Sequence, residues 1–224
     1  MEQSSARQEI IQKLKQAPVE PVGPRPVLPP LAELSMNQEE LVKRFTERLV
    51  EETGVVYRVK NYTQALERLA EIAQAENLKK VMTSTDEVIR QLDLASWAAN
   101  RGIKVMTPLD YADRNSFKDA VFLEADAGIT GADFAVAESG TLGIIHRKDQ
   151  ARLISLAPIL HIAIVPMERL VPTYEMAIDK VFANKNNLPS QFVFITGPSM
   201  TGDIQGVLFK GMHGPRKLMV IFIG

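Results

Sequence analysis

Cysteine is missing from all 224 residues. Its absence excludes disulfides, thiolate-ligated iron–sulfur clusters and thiol nucleophiles within the chain, so any such redox centre has to sit on a partner. Net charge is nearly missing too, because 26 Lys and Arg face 27 Asp and Glu. No overall field draws the chain to phosphate backbones or anionic lipid, and aromatic residues make up only 6%, so nucleic acid is not an expected partner. No apolar run reaches the ~18 residues that a membrane span needs. The first residues, with Glu2 and Glu9 near Arg7, lack the apolar stretch of a signal peptide, and the chain reads as cytoplasmic. The three histidines, His146, His161 and His213, are too scattered to suggest a metal set, and no pair has the i,i+4 spacing of a helical metal site. No metal is expected.

What is present is 46% hydrophobic residues, enough for one substantial core. Ile10, Ile11 and Leu14 recur at helical spacing, but Pro18, Pro21, Pro24, Pro26, Pro29 and Pro30 then forbid continuous helix or sheet. Residues 1–36 therefore read as a proline-rich arm, for which a disordered tail and a segment packed on a neighbouring subunit are both open. The folded domain is expected over 37–224. It opens on Asn37, a good N-cap with Glu40 three residues on, followed by Leu41, Phe45 and Leu49 on one helical face. Strand, helix, strand follow at 55–59, 63–76 and 80–83; Ser84 or Thr85 is placed to cap one helix carrying Val88 to Trp97, before a strand at 103–106. Later strands are expected at 134–137, 142–145, 162–165, 192–195 and 218–223, with a helix over 174–184. The closely spaced strands around Ser139-Gly140 suggest a mixed central sheet, and the architecture is expected to be three-layer α/β/α with helices on both faces.

In open α/β sheets, ligands collect at the carboxyl ends of strands, and three segments suit that position. In the first, Gly128 to Thr141, small residues deliver Asp133 and Glu138 towards the Ser139-Gly140-Thr141 turn. Glycine lets a ligand approach the main chain and the hydroxyls offer hydrogen bonds. Glu138 is a candidate general base or nucleophile, against a plain reading in which both carboxylates bond loop amides. In the second, an apolar strand runs into Thr196-Gly197-Pro198-Ser199, with Thr201 and Asp203 beyond. Its amides suit an anion nest, but there is no P-loop lysine and hence no sign of nucleotide hydrolysis. The third is the turn around His213, a candidate acid, base or anion donor.

Taken in order, these blocks resemble the LUD-domain signature of the LutC/YkgG family. The resemblance is carried by Thr130-Gly131-Ala132-Asp133 with Ala137-Glu138-Ser139-Gly140-Thr141, by Leu156-Ala157-Pro158 before His161 to Val165, by Phe194 to Ser199 with Thr201 and Asp203-Ile204, and by His213-Gly214-Pro215-Arg216. It runs from about residue 38 to the C-terminus. Met200, Gly202 and Gln205 depart from the family's pattern. The resemblance implies a fold similar to the NagB/RpiA/CoA-transferase group and a part in oxidising L-lactate to pyruvate. It further implies LutA-like and LutB-like iron–sulfur partners that carry the clusters, while this chain holds no cofactor and offers a pocket for a small carboxylate or nucleotide-like ligand. Homo-oligomers are compatible with it. The alternative, by fold analogy, is a stand-alone acyl-CoA transferase or sugar-phosphate isomerase-like enzyme using Glu138.

Overall fold

The computed structural model describes residues 3–18, 23, 36–183, 186, 188–202 and 207–224. The chain divides into two units, Met1–Glu33 and Leu34–Gly224. In the first, helix α1 (Gln3–Gln16) carries a Glu9–Lys13 ion pair one turn apart, and Ile10, Ile11 and Leu14 are all exposed. The proline-rich stretch beyond Pro18 lies almost wholly outside the described residues.

The second unit begins as its capping chemistry dictates. Asn37 Oδ1 accepts from Glu40 N at 3.0 Å while the Glu40 carboxylate accepts from Asn37 N at 2.9 Å, which starts α2 (Gln38–Glu51). Leu41, Val42, Phe45 and Leu49 form its buried stripe. There follow β1 (Val55–Val59), α3 (Tyr62–Ala75) and β2 (Lys80–Thr83). The single helix expected over Val88 to Trp97 is two short ones, α4 (Glu87–Arg90) and α5 (Leu94–Ala99). Asp86, not Ser84 or Thr85, caps the first by accepting from Val88 N and Ile89 N; Asp93, in the left-handed region at φ 43°, breaks the helix and caps the second. The chain continues through β3 (Lys104–Met106), α6 (Arg114–Leu123), β4 (Ala127–Gly131), β5 (Phe134–Val136), β6 (Thr141–Ile145), α7 (Leu153–Leu156) and β7 (Leu160–Pro166). It closes with β8 (Leu170–Val171), α8 (Tyr174–Phe182), β9 (Phe192–Ile195), the hairpin β10 (Met200–Gly202) and β11 (Leu208–Lys210), and β12 (Lys217–Ile223).

Six strands, in the order β1-β12-β7-β4-β2-β3, form a central sheet in which every pair is parallel. The mixed pairing expected around Ser139-Gly140 is real but belongs to a second sheet, β8-β5-β6-β9, where β6 runs antiparallel to both of its neighbours. The reason is the short Ser-Gly turn, which can only join antiparallel strands. Helices α3, α4 and α5 cover one face of the central sheet around Val81, Ile129, Ile162 and Ile221. On the opposite face lie α2 and the second sheet, around Phe45, Leu142, Val220 and Phe222, with α6 and α7 alongside over Met82 and Met106. Burial on both faces explains the nearly unbroken apolar runs of β7 and β12. Helix α8 covers the far side of the second sheet against Phe134 and Val136.

Glycine decides one contact in this arrangement. A Cβ on Gly128 of β4 would stand 1.8 Å from the Ile154 carbonyl oxygen, so α7 packs directly on the backbone of the strand.

Candidate functional site

Strand β5 separates what the sequence places together. Asp133 precedes it at the carboxyl end of β4, and Glu138 follows it, five residues or roughly 16 Å of extended chain away. Asp133 accepts from Ile145 N at 2.6 Å and pairs with Arg147 at 2.8 Å. Burial works against the charge on Arg147, but the Asp133 and Asp149 carboxylates together outweigh it and hold the guanidinium above its ordinary value. Asp133 thus fastens β6 to the turn beyond it.

Glu138 is also occupied. Its Oε1 accepts from Tyr174 N at 2.7 Å, the first amide of α8, while its own N–H donates to Pro172 O at 3.1 Å. A carboxylate there satisfies an orphan helix amide and meets the positive end of the helix dipole. Glu138→Ala is therefore expected to cost about 1 kcal/mol of unfolding free energy, and Glu138→Gln, which keeps an acceptor oxygen, clearly less. Chemical denaturation of the two variants measures the difference, and equal losses would contradict the capping role.

Beyond Glu138, four hydroxyls converge. Thr141 Oγ1 lies 2.8 Å from Ser139 Oγ, 2.7 Å from the Tyr174 hydroxyl and 3.0 Å from Thr196 Oγ1. A hydroxyl has one hydrogen and two lone pairs, so three partners fill it. The wholly buried Thr141 is a hub that positions the other three. Gly140 has φ 65°, and a Cβ on it would stand 2.5 Å from Leu49 N, so glycine here admits the turn against α2 and is spent on the protein's own backbone.

Thr196 links this hub to a cavity of about 200 Å³. Thr196, Gly197 and Ser199 line one side of it, and His213, Gly214 and Pro215 another, so the second and third sequence blocks meet here. Two hydrogen bonds stitch them together: Ser199 N donates to Pro215 O and Gly211 N to Ser199 O, both at 2.8 Å. His213 is exposed and its backbone N–H points to Ser199 Oγ at 3.4 Å. Leu156, Phe194 and Leu218 supply apolar wall. Among the described residues, no Lys, Arg, Asp or Glu lines it. Thr201 stands opposite Phe209 on the β10-β11 hairpin, outside the lining, and Asp203 lies outside the described residues.

Behind this cavity, among the residues around it, stands His161, which the sequence leaves in an apolar strand with no role. It is the second residue of β7, as Leu218 is of β12, so the cavity opens at the amino end of the parallel strands, not at the carboxyl end expected for an open α/β sheet. The hairpin turn at 139–141 and the second sheet carry the hydroxyl segments back to that edge. His161 is 0% exposed, and burial pushes its ring down to about 3, so the imidazole is neutral. Nε2 is 2.9 Å from Thr130 Oγ1, whereas Nδ1 has no partner among the described residues. Tyr174 was likewise visible in the sequence only as a helix residue. A tyrosine at the first position of a helix facing a Ser-Gly-Thr turn becomes informative once the turn and helix are known to meet.

Among the described residues no three His, Asp or Glu gather closely enough to hold a metal ion, and no helix is long and apolar enough to cross a membrane.

Comparison with known proteins places this architecture. The LUD domain matches residues 42–223. Lactate utilization protein C 1 of Bacillus mycoides is 34% identical over 196 residues, covering 84% of this chain and 81% of the relative. Lactate utilization protein C of Deinococcus radiodurans is 30% identical over 210 residues, covering 92% and 87%. The crystal structure of a DUF162 family protein from Deinococcus radiodurans superposes with a TM-score of 0.62 at 24% identity, over 84% of this chain and 99% of that one. With the matched segment spanning both sheets and the helices that cover them from the second turn of α2 onward, the chain belongs to the LUD-domain family.

Proposed function

We propose that this chain is the non-redox subunit of an assembly that oxidises L-lactate to pyruvate in the cytoplasm. The observation that carries the reading is the near full-length similarity to relatives named lactate utilization protein C. Oxidation of lactate to pyruvate releases two electrons and two protons, and a chain without cysteine has no thiolate with which to hold an iron–sulfur cluster for those electrons. The electrons pass instead to clusters on LutA-like and LutB-like partners, and this subunit contributes the small-molecule pocket. The engagement of Glu138 with the α8 amide, and its place outside the cavity lining, favour this reading over an enzyme that uses Glu138 as nucleophile.

Two measurements test it. Tagged chain isolated from its native host is expected to bring down iron–sulfur proteins, and deletion of its gene is expected to abolish growth on L-lactate while sparing growth on pyruvate. Recovery of the chain without iron–sulfur partners, together with undiminished growth on lactate, would overturn the proposal.

A further inference from the structure

We propose that a second cavity, at the amino edge of the central sheet, binds a phosphate monoester with an aliphatic body, its phosphate held by Lys210 and Arg216. The cavity measures about 490 Å³, within the range of small-ligand sites. Val55 and Lys217 line it where the parallel strands β1 and β12 begin, and Thr53, Glu76, Lys210 and Arg216 line it as well.

The charges of this lining do not cancel. Lys217 Nζ lies 2.8 and 2.7 Å from the two carboxylate oxygens of Glu76, so that pair is neutral. Lys210 Nζ donates instead to Thr53 Oγ1 at 2.8 Å, and a hydroxyl takes the hydrogen bond without cancelling the charge. The Arg216 side chain has no hydrogen bond or ion pair among the described residues. Of the two carboxylates that precede Thr53, neither lines the cavity: Glu51 pairs with Arg48 at 2.9 Å, and Cβ of Glu52 lies against Gly197. The negative end of the α2 dipole, about half a charge, offsets Lys210 in part and leaves about one and a half positive charges unmatched.

Both cations are held by unusual backbone. Thr53 lies in the left-handed region at φ 66°, which a β-branched residue adopts only under strain, and glycine is the ordinary residue just past a helix end. What threonine adds there is the hydroxyl that fixes the Lys210 ammonium. Gly211 has φ 79°, and a Cβ on it would stand 2.0 Å from Cγ and 2.9 Å from Nε of Arg216, so the arginine lies across the residue next to Lys210. The two unmatched cations are thereby anchored on neighbouring positions.

That placement sets the class of ligand. Two adjacent cations call for two negative charges on one group, which a phosphate monoester supplies and a dicarboxylate carries apart, and a guanidinium fork matches phosphate oxygens. Val55, Leu218 and Met219 give the cavity an aliphatic surface. Among the described residues no aromatic ring lines it, so it offers a nucleobase no stacking platform.

The test titrates the full chain calorimetrically at about pH 8, where a phosphate monoester is a dianion, with monobutyl phosphate, butyrate and glutarate in turn. Monobutyl phosphate is expected to bind saturably and at least about tenfold more tightly than butyrate, with its single charge, or glutarate, with its two separated charges. Arg216→Gln is expected to weaken monobutyl phosphate binding at least about fivefold. Thr53→Gly relieves the left-handed backbone while removing the hydroxyl, so its thermal midpoint is expected to hold or rise while its affinity falls at least about twofold. Absence of saturable monobutyl phosphate binding overturns the proposal, as does butyrate or glutarate binding equally well. Full affinity in Arg216→Gln overturns it too. So does a Thr53→Gly chain that loses stability and keeps its affinity, because the hydroxyl then serves the fold alone.

Discussion

Phe222→Ala is expected to lower the unfolding free energy by about 4 kcal/mol, read from denaturant unfolding. Phe222 lies in β12 at the middle of the face that α2 covers, is 0% exposed, and meets the equally buried Phe45 edge to face with ring centroids 5.0 Å apart. Truncation removes the transfer energy of the ring and leaves a void between a helix and two stacked sheets, which cannot collapse far because all three are tied elsewhere. The aromatic pair adds a coupling of about 1 kcal/mol, so the double variant with Phe45→Ala should lose less than the sum of the single losses. A loss for Phe222→Ala below about 1 kcal/mol would show that the ring is not enclosed as described. The consequence reaches the site. Helix α2 is the surface against which Gly140 is pressed, and a Cβ on Gly197 would stand 2.9 Å from Cβ of Glu52, just past the helix. Loosening α2 therefore frees both the Ser139–Thr141 turn and the Thr196–Ser199 loop.

Much of this was legible from the residues. Asn37 with Glu40 and the stripe of Leu41, Phe45 and Leu49 specify the start and the buried face of α2, because a capping box and a helical apolar period are both local. Strands at 55–59, 80–83 and 192–195 coincide with β1, β2 and β9, their apolar runs being bounded by turn residues. Strand β4 was less visible as an element. Ala127-Gly128-Ile129-Thr130-Gly131 is poor in β-branched bulk because α7 presses on it, a tertiary demand that no window of sequence contains. The same holds for the site. The glycine- and hydroxyl-rich blocks marked Thr196, Gly197, Ser199 and His213, which do meet at the cavity. They could not reveal that β5 carries Glu138 away from Asp133, nor that β7 brings His161 under the loop. Those are outcomes of strand direction and register, fixed by which strands pair, such as Gly128 beside His161 across β4 and β7.

Acid is expected to destabilise this fold well before its carboxylates are protonated. The His161 ring has a value of about 3 in the folded protein against 6.5 for an unhindered histidine, owing to burial. Between those limits the unfolded chain binds a proton that the folded chain refuses, so stability rises with pH and is lost as pH falls below about 6.5. The slope approaches 1.36 kcal/mol per pH unit, and the whole window is worth on the order of 5 kcal/mol. His146 is lowered chiefly by burial and acts with the same sign. Asp113, held down by the amides and hydroxyl of its helix N-terminus, withdraws its stabilisation only in the ordinary carboxylate range. Denaturant unfolding between about pH 6 and pH 5 therefore isolates the histidines, with a loss of at least about 1 kcal/mol expected in the unaltered chain. His161→Gln, which has nothing to protonate, should flatten that slope whatever its stability at neutral pH, and His146→Gln should remove the remainder. An unaltered chain equally stable at both values would mean that the His161 ring takes up a proton in place, which its enclosure against Thr130 does not permit. The burial that makes the fold acid-labile also keeps the ring uncharged through the neutral range.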